Sequence, residues 1–115
     1  MSDIKELLGK INNFVQERDW GQFQKPKDLA ISLSLESAEV LEHFQWKNGD
    51  ELTAYLIKNK EIVGEELADV FIYLLELSQS VGVDLLECAN KKLIKNGLKY
   101  PIEKAKGNYK KYNEL

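Results

Sequence analysis
Between about Lys60 and Val81 the chain carries a helical pattern with almost no polar side. Val63, Leu67, Val70, Phe71, Ile72, Leu74, Leu75 and Leu77 surround most of its circumference when each residue advances about 100°. A helix apolar nearly all round has to be covered by neighbours. The flanking sequence supplies them as further helices. Ile4, Leu7, Leu8, Ile11, Phe14 and Val15 recur at the helical period from about Ser2 to Arg18, with Ser2 placed to cap the start. Pro26 opens a second helix, from about Lys27 to Gln45, whose apolar face is Leu29, Leu33, Val40 and Phe44. Lys47-Asn48-Gly49-Asp50 reads as a turn, with Asp50 the expected cap of a short helix from Glu51 to about Lys58. Gly82 closes the apolar helix, and a last long helix runs from about Asp84 to Asn96, closed by Gly97, with Pro101 barring any continuation. The basic tail, Ile102 to Leu115, reads as a short helix or an arm over the core.

No stretch alternates at the β period, and the linkers are short. The expectation is all-α: a small antiparallel bundle of four main helices plus a short one, forming a single domain over residues 1–115. So few helices do not hide the apolar one completely, so a second subunit is expected to help, as a homodimer or homotetramer. A net charge of −3 argues against nonspecific binding to a nucleic acid polymer. Asp69 and Glu76 interrupt the most apolar run, Leu67 to Leu77, so no membrane span is expected. The N-terminal residues lack the basic-then-apolar pattern of a signal peptide. One cysteine, Cys88, excludes an internal disulfide framework and a Cys-rich zinc site, and fits a cytoplasmic protein.

Acids stand inside the apolar rows. Leu29, Leu33, Glu36 and Val40 fall within about 60° of one another, with Glu39 one turn away on the edge of that face. On the apolar helix, Ile62, Glu66, Asp69 and Tyr73 form a second such row. Carboxylates gathered in a core lose hydration and repel one another, so they share protons, meet cations or bind metal. The single arginine and scattered lysines do not offer matched partners at helical spacing. Oxygen-only ligands suit Mg²⁺, with Mn²⁺ possible, rather than zinc or copper. Solvated acids at i and i+3 are common on helix faces, and that reading stands beside the metal one. Glu42, Glu65 and Glu76 lie off the rows and read as surface or supporting residues. A di-iron carboxylate site needs Glu-x-x-His on two helices. The one histidine, His43, does not provide that spacing and reads as a helix-surface residue without an orienting partner.

Glu36-Ser37-Ala38-Glu39 followed by Glu66-Leu67-Ala68-Asp69 resembles the E-x-x-E…E-x-x-D signature of MazG-like nucleotide pyrophosphohydrolases. The flanks extend the resemblance from about Phe14 to Tyr112: Arg18-Asp19-Trp20 with Gln22-Phe23 and Pro26-Lys27, then Phe44-Gln45-Trp46, then Ile72-Tyr73-Leu74, and finally Lys92, Asn96 and Lys99-Tyr100-Pro101. The dCTP pyrophosphatase-like branch is the most similar. The resemblance implies cleavage of a nucleoside triphosphate between its α and β phosphates, favouring dCTP or modified pyrimidine deoxynucleotides, in nucleotide-pool housecleaning. It implies that Glu36, Glu39, Glu66 and Asp69 hold the metal and carry the catalysis. It implies substrate contacts from Trp20, Trp46 and Tyr73 around the base, and from Lys92, Asn96 and Lys99. Phe23 is expected in the core. The chain departs from the family's pattern at Ile11, Gln24 and Asp28, on the side assigned to the base. A dUTPase-like hydrolase and a noncatalytic helical interaction module remain the alternative readings.

Overall fold
Six α-helices make up the chain in the computed structural model, which describes residues 3–115: α1 (Asp3–Glu17), α2 (Pro26–Glu42), α3 (Gly49–Lys58), α4 (Lys60–Ser80), α5 (Leu85–Lys99) and α6 (Ile102–Ala105). There is no strand among the described residues. The expected Ser2 cap lies outside them. The chain divides into two compact units at the Gly82–Val83 junction.

The first unit is organised around α4. Helix α2 packs along it, and α1 and α3 add shorter contacts. The direction of packing follows from which residues meet. Ser32 shares a pocket wall with Tyr73, Glu36 feels the charge of Asp69, and His43 faces Glu66. Successive turns of α2 thus meet preceding turns of α4, so the two helices are antiparallel, as the short connection through α3 requires. The buried apolar residues are Ile11 from α1, Leu29 from α2, and Val63 and Leu75 from α4. Ser78 is buried beside them, with its hydroxyl donating to the Leu75 carbonyl at 2.8 Å.

Helix α2 stops at Glu42, one turn short of the expected Gln45. Residues 43–46 wind into a turn that brings Trp46 to φ +70, a left-handed backbone unusual for a bulky side chain. Helix α3 starts at Gly49, so Asp50 lies in its first turn rather than at the cap, where Asn48 stands. There its carboxylate still complements the helix dipole. Phe23 is not core: it sits in a short 3₁₀ turn and is 63% exposed.

An apolar face of α2 is left uncovered by the chain itself. Ile31 and Ala38 fall on the side of the helix opposite Leu29 and Val40 at about 100° per residue. Ile31, Leu35 and Leu41 on that outer side are 48%, 62% and 65% exposed. On α4, Leu67 and Phe71, one turn apart, are exposed as well.

In the second unit, Asp84 caps α5 by accepting a hydrogen bond from the Glu87 amide at 3.1 Å. The helix runs through Gly97 rather than closing there. An interior glycine costs a helix only about 1 kcal/mol, whereas Pro101 bars the helical conformation at Tyr100 and ends it. The tail then returns to the end of α5. Tyr112 meets the Tyr100 ring edge-on at 6.2 Å, and the Lys99 ammonium lies 4.8 Å from the Tyr112 ring centroid.

Candidate active site
The antiparallel register of α2 on α4 brings acids from both helices together. One carboxylate oxygen each from Glu36, Glu39 and Glu66 lie within 4.8 Å of one another. Carboxylates gathered this closely from two helices are residues that would hold one hard divalent cation. Glu36 Oε2 is shut off from solvent and has no hydrogen-bond partner. Burial pushes the Glu36 carboxyl up to about 6, aided by the hydrogen bond to Glu39 and the charges of Glu39, Asp69 and Glu66. The Glu66 carboxyl is also raised, chiefly because it shares a hydrogen bond with Glu39, while His43 opposes the shift. Carboxyls that raise one another's pKa by proximity have a place for a divalent cation, and the buried Glu36 Oε2 makes no hydrogen bond. The donor set therefore fits a hard divalent metal.

Asp69 stands one turn beyond Glu66 on α4. It lies outside that set of three, but its charge reaches Glu36 and it lines the neighbouring cavity. This cavity, of about 320 Å³, is walled by Ile11, Phe14, Trp20, Ile72 and Tyr73, with Lys10, Gln24, Asp69 and Glu76 as its polar lining. Its aromatic wall is braced. The Arg18 guanidinium lies 3.7 Å from the Phe14 ring centroid and donates to the Phe14 carbonyl at 3.0 Å. Trp20 meets the Phe14 ring edge-on at 5.8 Å, leaving the indole 46% exposed. Tyr73 is raised above its usual range by burial and the nearby Glu76 and Glu36 charges, so its phenol stays a hydrogen-bond donor.

Trp20, Tyr73, Glu36, Glu39, Glu66 and Asp69, all picked out in the sequence, thus meet in one region. Trp46 does not line the cavity and is 87% exposed. Lys92, Asn96 and Lys99 lie on α5 in the second unit.

Two residues change role. His43 is not a surface histidine without a partner: it is half-buried, its Nδ1 lies 2.7 Å from the Tyr55 hydroxyl, and its Nε2 lies 3.9 Å from Glu66 Oε1. Seven residues after Glu36, it falls on the acidic face of α2, a signal present in the sequence. Tyr55, on another helix, could not be paired with it from spacing. Glu76 is not a surface acid either. It is half-buried, with Oε2 closed to solvent and unpartnered. The Tyr55–His43 contact leads to a modest expectation: Tyr55→Phe, which removes it, lowers stability by about 1 kcal/mol. Calorimetry checks this as a melting point lower by about 4 °C.

Comparison with known proteins agrees with this geometry. The sequence profile of the MazG-like family matches residues 31–115. The chain is 37% identical to dCTP pyrophosphatase 1 of Mus musculus and 36% identical to that of Homo sapiens, in each case over all of this chain and 67% of the relative. A crystal structure of a pyrophosphatase from Archaeoglobus fulgidus superposes with a TM-score of 0.83 at 41% identity, covering 88% of this chain and 94% of the other. A helical bundle with this acidic register, matched along its full length by such relatives, leaves one assignment: the chain belongs to the MazG-like family, and it is a pyrophosphohydrolase of that family.

Proposed function
We propose that the protein hydrolyses nucleoside triphosphates between the α and β phosphates, releasing a nucleoside monophosphate and pyrophosphate, with dCTP or a modified pyrimidine deoxynucleotide as substrate. The observation that carries this reading is the juxtaposition of three carboxylates within 4.8 Å of one another and an aromatic-walled cavity of about 320 Å³ reached by Asp69. The similarity to dCTP pyrophosphatases supports the choice of nucleotide.

Glu36, Glu39 and Glu66, with Asp69 beside them, are the residues that would hold Mg²⁺ or Mn²⁺. The ion, when bound, neutralises phosphate charge and supplies an activated water. The acids themselves fix where the triphosphate lies, since a polyphosphate approaches carboxylates only at this shared cation site. Trp20 offers its half-exposed face to a base, and Tyr73 its hydroxyl. Trp46, Lys92, Asn96 and Lys99 keep their substrate roles in this reading through the family motif. Residues 1–115 act as one functional domain, assembled as a homodimer or homotetramer whose contacts cover the outer face of α2. No helix among the described residues is long and apolar enough to cross a membrane, and the lone Cys88 supports action in the cytoplasm.

The test is a panel of ribo- and deoxynucleoside triphosphates assayed for products with Mg²⁺, with Mn²⁺ and with chelator. Metal-dependent monophosphate and pyrophosphate are expected, dCTP leading. Diphosphate and orthophosphate as products, or undiminished turnover in chelator, would overturn the reading, and preference for dUTP would point to a dUTPase-like enzyme. Trp20→Ala is expected to weaken every nucleotide together, by about 1–3 kcal/mol for the lost stack. Measured kcat/KM across the panel checks it: loss on one base alone would make Trp20 a shape filter instead.

A further inference from the structure
The cavity beside the acids has an unusual polar lining for a site walled by rings. Glu76 and Asp69 present acceptors, and one Glu76 oxygen is left without a hydrogen bond although Lys10, Gln24 and Tyr73 line the same cavity. Its Oε2 is closed to solvent and makes no hydrogen bond, and Lys10, though it lines the same cavity, makes no ion pair with it. A buried acceptor left unpaired costs about 1–3 kcal/mol, so one is kept where something else completes it. The carboxyl group turns easily about its last torsion, so either oxygen can face a bound molecule. Tyr73, one turn before Glu76, lines the same space, and Trp20 forms its stacking wall.

We propose that Glu76 is the specificity-determining residue of this cavity, accepting a hydrogen bond from the exocyclic amino group of a nucleobase and so favouring 4-amino over 4-oxo pyrimidines. The inference rests on the nucleotide reading above and adds the residue that reads the base edge. A cytosine-type edge carries an amino donor where a uracil or thymine edge carries a carbonyl oxygen. Against Glu76 the donor completes the orphan, whereas the carbonyl sets two acceptors against each other with Asp69 near by. Burial raises the Glu76 carboxyl above its usual range, as expected of a carboxylate that lacks the donors holding it ionised. An amino N–H restores one. Glutamine in this place would turn its amide to suit either edge, and leucine would suit neither.

The experiment compares dCTP with dUTP in the wild type, Glu76→Gln and Glu76→Leu, by kcat/KM for hydrolysis and, separately, by calorimetric titration of dCMP and dUMP in chelator. The wild type is expected to favour the cytosine member in both assays. Glu76→Gln lowers that preference by roughly 5- to 150-fold, mainly through KM, with dUTP improving. Glu76→Leu loses the preference by weakening dCTP. Glu76→Gln melts no lower than the wild type, because a neutral amide replaces a carboxyl that burial disfavours, so a lost preference cannot be put down to misfolding. An unchanged ratio in both variants overturns the proposal, as does equal or absent binding of dCMP and dUMP to the wild type. If no triphosphate is hydrolysed but dCMP binding still exceeds dUMP binding in a Glu76-dependent way, the hydrolytic reading fails while the base-reading role of Glu76 stands.

Discussion

Glu36→Gln, Glu39→Gln, Glu66→Gln and Asp69→Asn are each expected to lower pyrophosphate release by about 10²–10³-fold or more at moderate Mg²⁺, the scale of losing several kcal/mol of charge stabilisation in phosphoryl chemistry. The same changes leave the metal-free protein folded. Each neutral amide keeps the shape of the carboxyl it replaces and removes a charge from a cluster whose oxygens crowd within 4.8 Å. Metal-free Glu36→Gln should therefore melt higher than the wild type near neutral pH. The pH dependence has a definite sign. Glu36 is raised in the folded state from 4.5 to about 6, so the folded protein binds more protons than the unfolded chain between those values. The metal-free wild type accordingly loses stability as pH rises through that window and regains it on acidification. Calorimetry with and without Mg²⁺ reads both effects: added metal raises the melting point most above pH 6, and Glu36→Gln flattens the pH dependence. Wild-type turnover in any of the four variants would remove that residue from the metal assignment.

The second large effect concerns assembly. The wild type is expected to run as a dimer or larger by light scattering at micromolar concentration. Leu35→Glu should disperse it to monomer or unfold it. Leu35 is 62% exposed and stands with Ile31 and Leu41 on the side of α2 turned away from α4. Exposed apolar side chains scattered singly need no explanation, but a continuous face along one helix marks a surface that another molecule covers. A charge placed in its middle loses hydration on assembly without gaining a partner. Asp28→Asn, on the same helix and exposed, serves as the control that leaves the mass unchanged. A monomer mass for the wild type, or an unchanged mass for Leu35→Glu, would show that the α2 face is not the interface.

Much of this protein was written in its periodicity. The helix order, the burial of Leu29, Val63 and Leu75, and the placing of Glu36 and Glu66 on facing rows all follow from 3.6-residue spacing and short connections, because these are local properties of the chain. That acids stand in the apolar rows of both helices was legible too, because it follows from the same spacing. Where elements stop was less so. Gly97 read as an end and proved to be helix interior, because the energetic weight lay with Pro101. What needed the tertiary structure was every relation across helices. Only the register of α2 against α4 selects which three carboxylates converge and leaves Asp69 facing the cavity. Only the packing of α3 gives His43 its Tyr55 partner. Glu76 shows the difference most plainly. Seven residues after Asp69, it falls by helical spacing on that acid's row, a signal the sequence carried, but only the tertiary structure shows that α1 and the Trp20 loop wall the cavity it lines and that its Oε2 is buried without a partner.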